Sequence, residues 1–412
     1  MNFEFFIARR IVASTDYKSS ISGPIIKIAI TAIALGMIVM LMSVATSVGL
    51  QKKIKEKVSA FNGDIIITNF DTNFSNDSQI PISKNQDFYP EFTAVEGVKH
   101  IQVTASKGGV IRTATDFEGV VVKGAGDDYN WEYFDSFLVE GRLPDFSSTK
   151  ITEDILISEF LANRLQLKLG DKVVTYFFNE DASKNFRVRG FDIIGIYNSG
   201  FQQFDAQYII ADIRHIQRLN KWKDDEVGAF ELFVDDFDNI GIIGNEIYNE
   251  TDSLLDTQTI RDKYYSIFEW IDLFDFNVAL IIGIMILVAG INMITALLVL
   301  ILERTQMIGV LKALGSNDWS VRKVFLYNAV YLIGIGLFWG NVIGLGLLLI
   351  QKYFKVFPLN PDTYYVTEAP VHLDIGFILL LNIGTFILCL LMLLIPSYII
   401  SKISPVRAIR FE

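Results

Sequence analysis

The chain holds a single cysteine, Cys389, so no internal disulfide can form and each folded part must stand on its own core. Its three histidines, His100, His215 and His372, lie far apart, with no HExxH or Cys/His cluster, which argues against metal catalysis. No GxxxxGKS or GxxxxGKT loop is present, so the chain binds no ATP by a Walker motif. No GxSxG elbow is present either. The longest apolar runs carry no central charge, which removes the usual mark of a proton or ion pathway. No set of residues meets the requirements of an active site. The chain therefore reads as a non-enzyme, with no metal, no cofactor of its own and no nucleic-acid partner.

What is abundant is apolar sequence, 51% of 412 residues. Most of it falls in four runs, 28–50, 278–301, 329–350 and 375–400. Each clears the ~20 residues needed to cross a hydrocarbon core. The first run starts too late and is too long for a signal peptide, and QKKIKEK follows it, so it reads as an uncleaved anchor.

Charge is divided unevenly. Residues 51–275 hold 39 acidic against 23 basic side chains, net −16; the rest hold 8 against 13, net +5. The short basic segments set the orientation. They carry Arg9, Arg10, Lys18 and Lys27; then Arg304, Lys312, Arg322 and Lys323; then Lys402, Arg407 and Arg410. Segment 351–374 has only Lys352 and Lys355 against Asp362, Glu368 and Asp374. Both termini are expected in the cytoplasm and the acidic block outside.

The expected fold is an α-helical membrane protein with four transmembrane helices and a large α/β extracytoplasmic domain inserted between helices one and two. Residues 1–27 read as an interfacial amphipathic helix, followed by span one at 28–50. The outer domain is 51–275 and span two 278–301. A cytoplasmic helix and loop occupy 302–323, span three 329–350, an outer loop 351–374, span four 375–400 and a cytoplasmic tail 401–412. Within the domain, β-branched runs predict strands at 64–70, 119–124, 154–158, 172–178, 191–197, 206–211 and 230–234. Helices are expected at 157–167, 213–219 and 244–255, and a polar surface loop at 71–86.

Two patterns point to mechanics. Directly after span two, ERTQMIGVLKALG (303–315) places Met307, Ile308, Leu311 and Leu314 on one helical face, with Glu303, Arg304, Gln306 and Lys312 as its polar remainder. Gly315 is placed for a left-handed cap. Such a helix suits a groove in a soluble partner, or it lies on lipid. At the domain's base, Leu50, Ile54 and Val58 continue the stripe of span one. Ile260, Tyr264, Ile267 and Ile271 recur at near-heptad spacing before span two. These two stripes read as a stalk that transmits motion, or as a seat for the domain. Within the membrane, Gly336, Gly340 and Gly344 form a close-packing face, and Asn292, Asn328, Asn341 and Asn382 are candidates for bonds between helices. Met37, Met40 and Leu41 suit a cavity wall for acyl chains or plain contact with membrane lipids.

Residues 303–315 resemble the coupling segment of ABC-type permeases of the lipoprotein-releasing and macrolide-export kind. FLVEGRLPDF, ILISEFLANRLQLKLGDKV and FDIIGIYNSG fall where that family places its matching segments. NPDTYYVTEAPVHLD (360–374) is similar to a loop of the lipoprotein-releasing subgroup, and PSYIISKISPVRAIRF (396–411) to the family's C-terminal end. Met307 stands where the family usually has an acidic residue. FNEDASKNFR (178–187) is shorter than the carrier-gripping hook of one family subunit and lacks its proline. The resemblance implies a separate ATPase dimer, holding ATP and Mg, docked at Glu303, Arg304, Met307, Ile308, Leu311, Leu314 and Gly315. It implies a second permease subunit, identical or related, a lipoprotein substrate, a periplasmic carrier and a place in the inner membrane. Two alternatives remain: a permease for macrolide-export-like efflux, and a scaffold that activates a cell-wall hydrolase.

Overall fold

The computed structural model describes residues 3–13, 22–71, 79–178 and 186–403. Lys18, residues 179–185 of the hook-like stretch, and Arg407 and Arg410 lie outside the described residues. The chain divides into two compact units. One comprises Met1–Gln51, Trp270–Pro358 and Glu368–Glu412; the other comprises Lys52–Glu269 and Leu359–Thr367.

Among the described residues, four helices are long and apolar enough to cross a membrane: Gly23–Asn62, Tyr265–Glu303, Asp318–Phe354 and Ile375–Lys402. A helix satisfies its backbone internally, the condition for an apolar segment to enter lipid. Side chains set the ends. Asn317 Oδ1 accepts from Ser320 N at 2.7 Å at the start of the third helix, and Asp374 Oδ1 accepts from Phe377 N at 3.1 Å at the start of the fourth. The third helix stops at Lys355, which turns left-handed with φ +51°.

Glycine brings the first and third of these helices together. A Cβ at Gly336 would lie 2.8 Å from Ile33 Cβ, one at Gly340 2.7 Å from Met37 Cβ, and one at Gly344 3.1 Å from Leu41 Cδ1. Only hydrogen fits there, so the backbones approach closely and gain dispersion contacts that lipid cannot replace. This corrects the reading of Met37, Met40 and Leu41 as a cavity wall. All three are buried in this unit's own core, because the glycine stripe covers the face that carries Met37 and Leu41. Asn341 and Asn382 exchange amide hydrogen bonds of 2.7 and 3.0 Å between the third and fourth helices. Asn292 instead donates to Val288 O of its own helix.

Among the described residues, the second unit has twelve strands: β1 Ile65–Asn69, β2 Ile82–Ser83, β3 Val98–Arg112, β4 Phe117–Ala125, β5 Leu138–Gly141, β6 Asp154–Ser158, β7 Lys172–Phe177, β8 Arg187–Tyr197, β9 Tyr208–Asp212, β10 Glu226–Val227, β11 Ala229–Val234 and β12 Leu255–Thr259. Ten form one mixed sheet in the order β12-β1-β11-β3-β4-β9-β6-β8-β5, with β7 pairing both β3 and β8. Those last two pairings close β3, β4, β9, β6, β8 and β7 into a ring, which removes their edges. Only β4–β9 and β6–β8 are parallel. All seven strands expected from β-branched runs are present. The expected helix 244–255 is corrected. The helix is Ile240–Glu250, and Leu255 already opens β12, because its backbone pairs with Asn69 of β1.

An aromatic cluster fills the core. Phe61 lies 4.9 Å from Phe204, 5.1 Å from Phe134, 5.7 Å from Tyr208 and 5.9 Å from Tyr197, between ring centroids. Phe61 belongs to the last turn of the first long helix, so that helix end is part of the domain core.

Candidate functional site

The polar helix after span two is Thr305–Ala313, entered through Arg304 with φ −102°. The chain reverses after it at Gly315, φ +92°, a conformation that a side chain would strain. Only part of the predicted apolar face points outward. Ile308 is fully buried, and Met307 and Leu311 pack partly against the same core. The exposed large apolar side chains are Val310 at 45% and Leu314 at 79%, with Glu303 and Gln306 exposed as well. This corrects the sequence reading. Ile308 holds the helix in place, and its outward apolar contacts come from Leu314 and from Val310, which sequence reasoning passed over.

Lys312, which helical spacing assigns to the polar face, is almost enclosed. Its Nζ donates to Ile400 O at 2.7 Å, Ile403 O at 2.9 Å and Ser401 O at 3.4 Å, and pairs with Asp318 at 2.8 Å. These carbonyls lie at the end of the fourth long helix, where the helix dipole is negative. One ammonium thus ties the short helix to the end of span four and the start of span three. Arg322 adds bonds to Ser397 Oγ at 3.0 Å and Leu394 O at 3.2 Å. On the N-terminal helix, Phe3–Ala13, Glu4 accepts from Ser320 Oγ at 2.8 Å.

The stalk residues behave differently from a continuous seam. The helix breaks at Tyr264, φ −112° and ψ 40°, between Ile260–Lys263 and Tyr265–Glu303. Leu50, Ile54, Val58, Ile260, Ile267 and Ile271 are buried. The break lets Tyr264 Oη donate to Asn62 Oδ1 at 2.9 Å, with Lys263 Nζ on the same oxygen at 3.3 Å. Beneath this joint lies a buried ion pair. Lys123 Nζ is 2.6 Å from Glu231 Oε1 and also donates to Phe61 O at the helix end. Glu231 further accepts from Gln102 Nε2 at 2.9 Å and Thr104 Oγ1 at 3.1 Å. Burial pushes the Lys123 ammonium below its ordinary pKa, against the opposing pull of Glu231. Lys263 is lowered for the same first reason.

The segment 359–367 packs on this domain. Tyr365, φ +58°, stacks on Phe201 with centroids 4.6 Å apart, and Lys57 Nζ donates to Tyr365 O at 3.0 Å. Among the described residues, no group of His, Cys, Asp and Glu could hold a metal ion.

Residues 28–247 match the MacB-like periplasmic core domain, and residues 279–405 match the FtsX-like permease C-terminal domain. The chain belongs to this family: it is an ABC-type permease of the LolC, LolE and MacB kind, with transmembrane helices and a MacB-like periplasmic domain. It is 24% identical over 408 residues to the lipoprotein-releasing system transmembrane protein LolC of Neisseria meningitidis serogroup B, covering 93% of this chain and 94% of that one. It is 21% identical over 433 residues to the lipoprotein-releasing system transmembrane protein LolE of Haemophilus influenzae, covering 99% of each. The periplasmic region of MacB from Actinobacillus actinomycetemcomitans aligns with 49% of this chain and 91% of its own, at 13% identity and a TM-score of 0.34.

Proposed function

We propose that this chain is the permease subunit of an ATP-driven machine of the inner membrane that extracts lipoproteins and passes them to a periplasmic carrier. The observation that carries this reading is the end-to-end similarity to proteins named LolC and LolE, across both the periplasmic-type domain and the C-terminal spans. A separate ATPase dimer supplies the energy and holds ATP and Mg. It docks on the outward face of Thr305–Ala313, where Leu314 and Val310 offer apolar contact and Glu303 and Gln306 polar contact. Ile308 and Lys312 fix the opposite side of this helix, so a push on it is carried into spans three and four. A second permease subunit completes the transporter. Both termini lie in the cytoplasm and the α/β domain in the periplasm.

Leu50, Ile54 and Val58, with Ile260, Tyr264, Ile267 and Ile271, form the lever into that domain. The Asn62–Tyr264 bond and the Lys123–Glu231 pair are its stiff joint. Gentle detergent extraction followed by mass spectrometry tests the reading. Retention of an acylated lipoprotein and an ATPase supports it. Retention of an adaptor tube would favour macrolide-type efflux, and retention of a cell-wall hydrolase would favour a scaffold.

A further inference from the structure

The third long helix ends in KYFKVF, and this end is unlike an ordinary loop. Tyr353, Phe354, Val356 and Phe357 are 74%, 77%, 54% and 60% exposed, an apolar knob directly continuous with a helix of membrane-spanning composition. Water is a poor solvent for such a surface; four large side chains in one turn cost several kcal/mol left wet, at roughly 25 cal/mol per Å². The backbone of the turn, by contrast, is partly tied into the chain. Lys355 N donates to Gln351 O at 2.9 Å, ending the helix. The Gln351 side chain is buried and holds Phe357. Its Oε1 accepts from Phe357 N at 2.9 Å, and its Nε2 donates to Ala369 O at 3.0 Å and Phe357 O at 3.4 Å. Ala369 N donates to Phe357 O at 3.1 Å, and Lys355 pairs with Glu368 at 2.8 Å. Non-helical backbone survives near hydrocarbon only when its polar groups are met within the protein. Apolar outside, with both backbone groups of Phe357 met inside, suits the boundary between hydrocarbon and headgroups.

We propose that the turn Tyr353–Phe357 is immersed in the lipid leaflet that the third helix enters, with Phe354, Val356 and Phe357 at the acyl–headgroup boundary. Tyr353 takes the interfacial place that amphipathic aromatic rings favour. Exposed Lys352 lies one residue before the knob, where its ammonium meets lipid phosphate. The turn is therefore a fixed wedge in the leaflet, braced by Gln351, rather than a water-exposed loop. The proposal rests on the membrane-spanning reading of the third helix and on nothing about lipoprotein release.

Spin labels test it in the full chain reconstituted into phosphatidylethanolamine–phosphatidylglycerol vesicles, in a Cys389→Ala background. Phe354→Cys and Phe357→Cys are labelled singly, with Tyr248→Cys on the α/β domain as the wet reference. The readout is accessibility to oxygen, which partitions into lipid, against a nickel chelate, which stays in water. The oxygen-to-nickel ratio is expected to rise at both turn positions above that at Tyr248→Cys. A ratio equal to the reference overturns the proposal, because the turn is then in water. Protection from both probes also overturns it, because a second copy or another protein then covers the knob. If Phe354→Cys does not fold, Tyr353→Cys carries the same comparison. Gln351→Leu should raise nickel accessibility at Phe357→Cys, and no change would remove the brace from the account.

Discussion

The two compact units solve the same packing problem with opposite means. The α/β domain buries large aromatic rings around Phe61 and encloses the ion pair Lys123–Glu231, with further acceptors and donors meeting its remaining polar atoms. Among the described residues, the membrane unit has no such pair at its centre. It relies on absent side chains at Gly336, Gly340 and Gly344 and on one neutral amide pair, Asn341–Asn382. In water, burying apolar area drives association, so large residues are favoured. In lipid that drive is missing, and close backbone approach takes its place. The domain's charge pair sits at the end of the first long helix, where Lys123 also donates to Phe61 O.

The largest expected effect follows from that pair. Glu231→Gln leaves the Lys123 ammonium buried without its counter-charge and should destabilise the domain by about 3–5 kcal/mol. Thermal unfolding of the full protein in detergent checks this. A loss under ~1 kcal/mol would mean that the pair is wetter than its enclosure indicates. Next comes the glycine stripe. Gly340→Val must displace Met37 and the backbone at Ala34, for about 1–3 kcal/mol. Gly346 meets nothing within 4 Å, so Gly346→Val is the neutral control. Equal effects in the two variants would break the comparison between the units.

At the proposed docking helix, Leu314→Asp should weaken ATPase binding about tenfold or more, the loss of one well-placed anchor. Folding should be unchanged, since Leu314 is exposed. The outcome is read by co-purification, and full retention would remove Leu314 from the interface. The smallest effect concerns His215. Burial holds its pKa below the ordinary 6.5, with the bond to Thr152 O opposing. Its folded pKa is thus depressed relative to the unfolded chain. The stability it contributes is complete above pH 6.5 and declines as pH falls towards the folded value. His215→Gln should flatten that slope in denaturant titrations at a series of pH values. An unchanged slope would place the acid sensitivity elsewhere.

Much of the strand set was legible because β-branched runs such as DIIITNF and DILIS announce themselves in any context. β3 was not. VKHIQVTASKGGVIR mixes Lys, Ser and a Gly108–Gly109 pair, and it is a strand because β11, β4 and β7 all pair with it. β12, LDTQT, is polar because it lies at a sheet edge. At the candidate site, the helical wheel gave an apolar face but could not tell which part of it the chain itself covers, so Ile308 and Val310 exchanged places. Lys123 and Glu231 are 108 residues apart, and the Lys312 carbonyl cage is closed by residues 88 to 91 positions away. No local pattern encodes either.

The most direct measurement reconstitutes the permease with its second permease subunit and ATPase in vesicles carrying an acylated lipoprotein, with the periplasmic carrier outside. Carrier-bound lipoprotein is then measured with and without ATP. The account predicts ATP-dependent transfer of lipoprotein to the carrier, abolished by Leu314→Asp. ATP hydrolysis that proceeds at full rate while every lipoprotein stays in the vesicle would contradict it.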